Sequence, residues 1–127
     1  MFSHIMIGVN DLEESRIFYD ATLQVLGYRK GVLDPKGRYF YFGGENILAL
    51  TKPINGEPAS HGNGMTIGFS AQSSDLVDSW YESGLNSGGV SCEDPPGIRS
   101  SGKFKLYLAY LRDPANNKIC AMFRFPK

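Results

Sequence analysis

One histidine stands at the start of a segment that the chain contains twice. Residues 4–12 form an apolar strand pattern that leads into a helical pattern, and residues 66–76 repeat that order. The repeat places His4 and Thr66 at matching positions. An imidazole can bind a divalent metal ion or act as a general base, whereas a neutral threonine hydroxyl is a poor ligand. The pair predicts one functional site to which the two halves contribute unequally.

The last predicted strand, residues 118–125, carries further candidates for ligand binding. Side chains alternate across a strand, so one face of this strand presents Lys118, Cys120, Met122 and Arg124. The two cations favour an anionic ligand, although a solvated surface is the simpler explanation of the same charges. Cys120 is interpreted as a buried thiol that behaves as a small hydrophobic group.

The same alternation predicts that one face of the sheet packs on helices while the other forms an open cleft. The cleft face then carries His4 and Met6 from the first strand, Ala49 from the fourth, and Thr66 from the repeated strand. Tyr107 is a further candidate for pocket lining, although aromatic residues on strands more often lie in the core. This small, weakly polar lining suits a modest organic ligand.

Periodicity and turn residues divide the chain into two modules of the order βαβββ. Module one covers about residues 1–55 and module two about residues 62–127, with helix caps predicted at Asn10 and Ser74. Residues 94–103 contain too much Pro, Gly and Ser to predict regular structure. The sequence predicts one α+β domain, residues 1–127, in which a curved mixed sheet carries helices on its outer face and an open cleft on its inner face.

Composition argues against several classes of protein. The 13 basic and 13 acidic residues cancel, which disfavours a nucleic-acid-binding surface. No apolar run reaches the roughly 20 residues of a membrane span, and the first residues lack the layout of a signal peptide. The 2 cysteines have the spacing of neither a zinc site nor a disulfide framework. We therefore expect a cytosolic protein that binds neither nucleic acid nor membrane.

The whole chain resembles the vicinal oxygen chelate superfamily, which includes glyoxalases, bleomycin-resistance proteins and extradiol dioxygenases. The resemblance rests on His-Ile-Met-Ile-Gly-Val-Asn-Asp-Leu at residues 4–12, on Gly-Asn-Gly-Met-Thr-Ile-Gly-Phe at 62–69 and on Asp-Pro-Ala-Asn-Asn-Lys-Ile at 113–119. It implies the fold with two modules. It also implies a homodimer, since members of this superfamily commonly pair.

The resemblance implies where a metal ion would bind. Metal-dependent members hold a divalent ion with His, Gln or Glu side chains, and the four family positions fall on His4, Ala49, Thr66 and Cys120. Of these, only His4 is a good match. Hard ions prefer carboxylate oxygens, and neither family carboxylate is present. We therefore predict no native metal cofactor, with Zn, Mn, Fe or Ni as the ion of the alternative hypothesis.

The leading hypothesis is a glyoxalase-like protein with a degenerate metal site that binds a small organic molecule in its cleft. The alternative is a metal-dependent lyase, isomerase or dioxygenase, similar to lactoylglutathione lyase, whose ligands are not evident in the sequence, or an enzyme that uses His4 as general base. A third hypothesis is a domain whose main property is dimerisation. No catalytic residue is assigned.

Overall fold

The repeat in the sequence is also a repeat of structure. A computed structural model describes residues 1–126, apart from the side chain of Ser101, and Lys127 at the end of the predicted second module lies outside the described residues. The first half contains β1 (His4–Gly8), α1 (Leu12–Val25), β2 (Val32–Leu33), β3 (Tyr39–Gly43) and β4 (Asn46–Thr51). The second half contains β5 (Ile67–Ser70), α2 (Ser74–Asn86), β6 (Val90–Ser91), β7 (Gly97–Ser101), β8 (Phe104–Arg112) and β9 (Lys118–Arg124).

Both halves pair their strands in the same way. β1 runs parallel to β4, and β3 lies between β4 and β2 with both neighbours antiparallel. β5 runs parallel to β9, and β8 lies between β9 and β6 with both neighbours antiparallel. The strands therefore form one mixed sheet of four strands and one of five. This arrangement confirms the predicted α+β class with two modules.

β7 corrects the prediction for residues 94–103. It pairs antiparallel with β8, from Gly97 opposite Leu108 to Ser101 opposite Phe104. The turn between the two strands contains Gly102 with a φ of 60°, a backbone conformation that glycine adopts without strain. Local composition disfavours a strand here, but hydrogen bonding to a long neighbouring strand outweighs that weak preference. The second sheet therefore has one strand more than the first.

Each helix is capped by a residue adjacent to the predicted cap. The Asp11 carboxylate accepts a hydrogen bond from the Glu14 backbone N–H at 3.0 Å, so Asp11 rather than Asn10 caps α1. The Ser73 hydroxyl accepts from the Leu76 backbone N–H at 3.1 Å, so Ser73 rather than Ser74 caps α2. Both predictions concern adjacent residues of equally good capping types, between which the sequence pattern does not choose.

The buried apolar side chains of both halves form one core. α1 contacts β4 and α2, while α2 also contacts β8 and β9. The core includes Ile7, Leu50, Leu111 and Ile119 from the strands and Phe18, Leu23, Val77 and Trp80 from the helices. In β1, alternate residues face this core as predicted, because Ile7 is buried while His4 and Met6 are exposed. No helix within residues 1–126 combines the length and the apolar content that a membrane span requires.

Polar contacts fix β1 against the second half of the chain. The Asn117 side-chain amide donates to the Gly8 carbonyl at 3.0 Å. The linker between the halves is also attached here, because Asn10 accepts from the Ala59 backbone N–H at 2.7 Å and donates to the Ala59 carbonyl at 3.2 Å. Ala59 consequently lies over Gly8, where a Cβ would approach the Ala59 methyl group to 3.1 Å. These contacts hold the end of β1 at the junction of the two sheets.

Candidate ligand cavity

A cavity of about 330 Å³ lies between the β1 and β4 side of the first sheet and β5 of the second. Leu23, Tyr41 and Leu48 line its buried part and are at most 8% exposed. The remaining apolar and aromatic wall consists of Met1, Phe2, Ile5, Tyr28, Ile47, Ile67 and Phe69. His4, Asn46 and Ser70 also line the cavity and are exposed to solvent. An apolar floor is thus combined with a polar mouth.

His4 is the predicted site residue that this cavity contains. It begins β1 opposite Ile47 of β4, and its side chain is exposed. The ring Nδ1 lies 2.8 Å from the Ser3 hydroxyl oxygen. This contact orients the ring, and Nε2 has no hydrogen-bond partner among residues 1–126. His4 can therefore offer Nε2 to a ligand as a hydrogen-bonding atom.

Three other predicted residues lie outside this cavity. Met6 and Ala49 are opposite each other in β1 and β4, and Ala49 is fully buried. Thr66 is exposed and directly precedes β5, whose residues 67–70 form the cavity wall. Of the two residues at matching positions in the repeat, the cavity therefore contains His4 but not Thr66.

The two predicted cations of β9 also lie outside the cavity and have neighbours of their own. Lys118 forms an ion pair with Glu93, which raises the pKa of the Lys118 ammonium, and its Nζ lies 5.2 Å from the centroid of the Tyr110 ring. The guanidinium of Arg124 lies 4.9 Å from the centroid of the Phe104 ring. These contacts account for the positive charges at both ends of β9 without an anionic ligand.

Cys120 and Met122 lie on β9 directly beside β5. Cys120 is opposite Gly68, and Met122 is opposite Ser70. A Cβ at Gly68 would approach the Cys120 sulfur to 3.1 Å, so glycine leaves room for the thiol. Burial raises the pKa of Cys120 to about 11, so the thiol is protonated at neutral pH. Cys120 accordingly has the environment of a small hydrophobic group.

Tyr107 packs against the core and is not part of the cavity wall. Its partner on β9 is Phe123, and both residues pack against the core. The Tyr107 hydroxyl donates to the Asp78 carboxylate of α2 at 2.7 Å, and this hydrogen bond raises the pKa of the phenol. Tyr107 therefore lies on the helix side of the second sheet. Tyr110 lies on the opposite face of β8, where it pairs with Cys120 of β9.

The sequence patterns do not predict most of the cavity wall. Ile5 and Phe69 pack against the core, as alternation predicts, and they also line the cavity. Both belong to the first strand of their half, which is an edge strand in each sheet. The cavity opens between these two edges rather than on a single sheet face. The repeat indicates that the first strands of the two halves are equivalent, but it does not show that a cavity lies between them.

The donor groups at the four family positions do not fit a divalent metal ion. Ala49 has no donor atom, Thr66 offers a neutral hydroxyl, and the thiol of Cys120 is buried and protonated at neutral pH. Within residues 1–126, no three His, Cys, Asp or Glu side chains lie close enough to hold an ion together. Hard ions prefer carboxylates, and a catalytic zinc ion normally has three protein ligands. No reaction step is assigned to a metal here.

The chain matches known proteins over nearly its entire length. The family model of the Glyoxalase/Bleomycin resistance protein/Dioxygenase superfamily matches residues 1–121. This chain therefore belongs to that superfamily. A glyoxalase/bleomycin resistance protein from Albidiferax ferrireducens T118 has a crystal structure with 55% identity and a TM-score of 0.94, over 98% of this chain and 99% of that chain. None of the proteins with curated functions matches the sequence.

More distant structures share the fold alone. A glyoxalase-related enzyme from Fulvimarina pelagi is 20% identical with a TM-score of 0.75, over 97% of this chain and 87% of that chain. A glyoxalase/bleomycin resistance protein/dioxygenase family enzyme from Burkholderia phytofirmans PsJN is 16% identical with a TM-score of 0.72, over 97% and 98% of the two chains. The superfamily includes both resistance proteins and enzymes, so membership does not by itself identify an activity.

Proposed function

We propose that this protein binds a small organic molecule in the cavity between β1 and β5. The observation that carries the proposal is a volume of about 330 Å³ with an apolar floor and a polar mouth. Ligand pockets of proteins typically measure about 300–1,000 Å³ and combine apolar walls with a few converging polar groups. Leu23, Tyr41 and Leu48 would contact the apolar part of the ligand, and the polar side chains at the mouth would bind its polar end.

A thermal-shift screen of uncharged, anionic and cationic aromatic compounds tests this proposal. A ligand that binds only the native state stabilises it by about 2.7 kcal/mol at a concentration of about 100 Kd. We expect at least one class to raise the melting temperature of the wild type. Ser70→Phe should abolish the increase, because the ring would occupy the cavity mouth that Ser70 lines.

Thr66→Phe is the matched control. It adds the same ring four residues earlier, at an exposed position that the cavity wall does not include. Its melting temperature should rise with the ligand as that of the wild type does. The proposal fails if no compound class shifts the wild type, or if both variants lose the shift equally.

We further propose that ligand binding requires no metal ion. The support is the poor donor set at Ala49, Thr66 and Cys120. The alternative, a metal-dependent lyase, isomerase or dioxygenase similar to lactoylglutathione lyase, needs donors outside the family positions. Elemental analysis of protein purified without chelators separates the two hypotheses. We expect far less than one ion per chain, and nearly stoichiometric Zn, Mn, Fe or Ni that is lost in His4→Ala would contradict this proposal.

For the partner, we propose a homodimer that covers the face of the first sheet opposite the helices. Phe42 is opposite Ile47 and Phe40 is opposite Ala49, so these residues share one face of β3 and β4. The rings of Phe40 and Phe42 stack with centroids 6.2 Å apart, and Phe42 is 56% exposed. A second copy would remove this apolar surface from water.

The cytosolic location of the protein stays a prediction from the sequence.

A further inference from the structure

We infer that the ring of Tyr28 closes one end of the cavity and limits the length of the ligand that the cavity accepts. This inference rests on the proposed ligand binding and specifies the shape of the ligand, which is an elongated molecule with an apolar tail. It follows from the direction in which the cavity runs, from the backbone that holds Tyr28, and from the glycine beside its ring.

The cavity runs across the strands of the first sheet. Tyr41 of β3 is opposite Leu48 of β4, and Leu48 is opposite Ile5 of β1, so three residues of the cavity wall form one row across the sheet. Neighbouring strands lie about 4.8 Å apart, so this row is about 10 Å long. Phe69 of β5 lines the cavity beyond β1. A ligand that fills the cavity therefore has one end at β3 and the other near β5.

The end of α1 fixes the backbone of Tyr28 at the β3 end of this row. The Tyr28 backbone N–H donates to the Leu23 carbonyl at 3.0 Å, and the Gly27 N–H donates to the Gln24 carbonyl at 3.0 Å. Gly27 has a φ of 96°, so these two bonds form the Schellman motif that commonly ends a helix. Side chains at the positions of Leu23 and Tyr28 commonly pack together in this motif, and here both line the cavity.

Gly43 provides the space that the Tyr28 ring occupies. Gly43 follows Tyr41 by two residues on β3, so both lie on the cavity side of this strand. A Cβ at Gly43 would overlap Cε1 of Tyr28 and would lie 3.0 Å from its Cδ1 and Cζ. The Tyr28 ring therefore occupies the place where any other residue at position 43 would put its own side chain.

The Tyr28 ring separates the cavity from solvent at this end. Leu23 and Tyr41 are each 2% exposed, whereas Tyr28 is half-buried and packs against the core with only part of its surface. Removal of the ring would consequently open the cavity at β3 instead of leaving a closed void. A tail that stops at Tyr28 in the wild type could then extend further.

Isothermal titration calorimetry with the linear primary alcohols from butanol to decanol tests the inference. Each methylene that enters an apolar site strengthens binding roughly fourfold. We expect the affinity of the wild type to rise in such steps up to a limiting chain length and then to stop rising, because the tail meets Tyr28. In Tyr28→Ala the rise should continue for at least about two more carbons, so the longer alcohols should bind at least about tenfold more tightly than to the wild type.

Two further variants support this measurement. Tyr28→Leu keeps an apolar side chain beside Leu23 and should also extend the limiting length, even if Tyr28→Ala is too unstable to measure. Tyr39→Ala is the matched control, because Tyr39 is another half-buried tyrosine that packs against the core but lies outside the cavity wall. Its limiting length should equal that of the wild type. Circular dichroism verifies that each variant is folded.

The outcomes separate this inference from the proposed function. The same limiting length in the wild type and in the folded Tyr28 variants would overturn the inference but leave ligand binding in the cavity intact. An equal extension in Tyr39→Ala, or a wild-type affinity that rises without a limit through decanol, would likewise overturn it. Failure of every alcohol to bind the wild type would also overturn the inference, whereas the screen of aromatic compounds decides the proposed function independently.

Discussion

Burial decides what the candidate reactive side chains can do. Cys120 lies among the site positions of the superfamily, yet it is 7% exposed and its thiol has a pKa of about 11. A cysteine acts as a nucleophile or a metal ligand in its thiolate form. At neutral pH, several units below this pKa, the thiolate of Cys120 is a minor species. Cys92 is half-buried and so is more accessible to reagents. The two cysteines should therefore differ in reactivity.

Alkylation by iodoacetamide at about pH 8 measures this difference. We expect Cys120 to react at least about tenfold more slowly in the native protein than in urea, because unfolding removes the burial that raises its pKa. Raising the pH towards 11 should accelerate its reaction in the native state, since the thiolate fraction grows. Mass spectrometry locates the label, with Cys92 as internal comparison. Equal native and unfolded rates for Cys120 would contradict the proposed environment.

At the scale of elements, a buried carboxylate organises the turn between β8 and β9. Asp113 is 3% exposed and accepts hydrogen bonds from the Tyr19 hydroxyl at 2.6 Å, the Asn117 backbone and side chain at 2.8 and 3.0 Å, and the Ala115 backbone at 2.9 Å. Burial raises the pKa of the Tyr19 hydroxyl, and the neighbouring Asp113 carboxylate raises it further. The hydroxyl therefore stays protonated and remains a hydrogen-bond donor. The contact joins α1 of the first half to the last hairpin of the second.

Asp113→Ala should lower the free energy of unfolding by about 3 kcal/mol, because it leaves several buried donors without an acceptor. Urea denaturation followed by circular dichroism measures this loss. Asp94→Ala is the control, since Asp94 is an exposed residue whose backbone carbonyl contacts Arg99, and it should change stability by less than about 0.5 kcal/mol. Similar losses in both variants would show that Asp113 has no special structural role.

At the scale of the whole molecule, one core serves both halves and leaves the face of the first sheet opposite the helices without a covering helix. Phe42 is 56% exposed and Met6 is 38% exposed on that face. Apolar side chains grouped in this way favour association, whereas single exposed apolar residues are ordinary. The proposed homodimer would use this face, near the cavity that His4 lines.

Sedimentation velocity tests the proposed dimer. The wild type should sediment as a dimer at micromolar concentration, and Phe42→Glu should shift it to the monomer, because a charge would be buried in the contact without a partner. Ile17→Glu provides the control, since Ile17 is 50% exposed on α1 and lies outside the sheet. A monomeric wild type would exclude the dimer, and equal effects of the two variants would move the contact to another surface.

Much of the fold follows from local patterns in the sequence. The apolar alternation of the first strand and its repeat after the linker predict β1 and β5, and the turn residues predict the final hairpin. These features depend on neighbours within a few residues. β7 was not predictable in this way, because its ladder depends on pairing with β8 and overrides its own composition. Tyr107 packs against the core, which is the usual place for an aromatic residue on a strand.

The sequence by itself determined that the chain has two equivalent halves and that His4 matches Thr66, which is a poor ligand. Its resemblance to the superfamily added that Ala49 and Cys120 stand where metal-dependent members have ligands. Only the tertiary structure decided where a ligand could bind. The cavity depends on the gap between two edge strands and on a helix packed behind it. Periodicity records which face of a strand is apolar, but it contains no measure of the distance between strands that are far apart in the sequence.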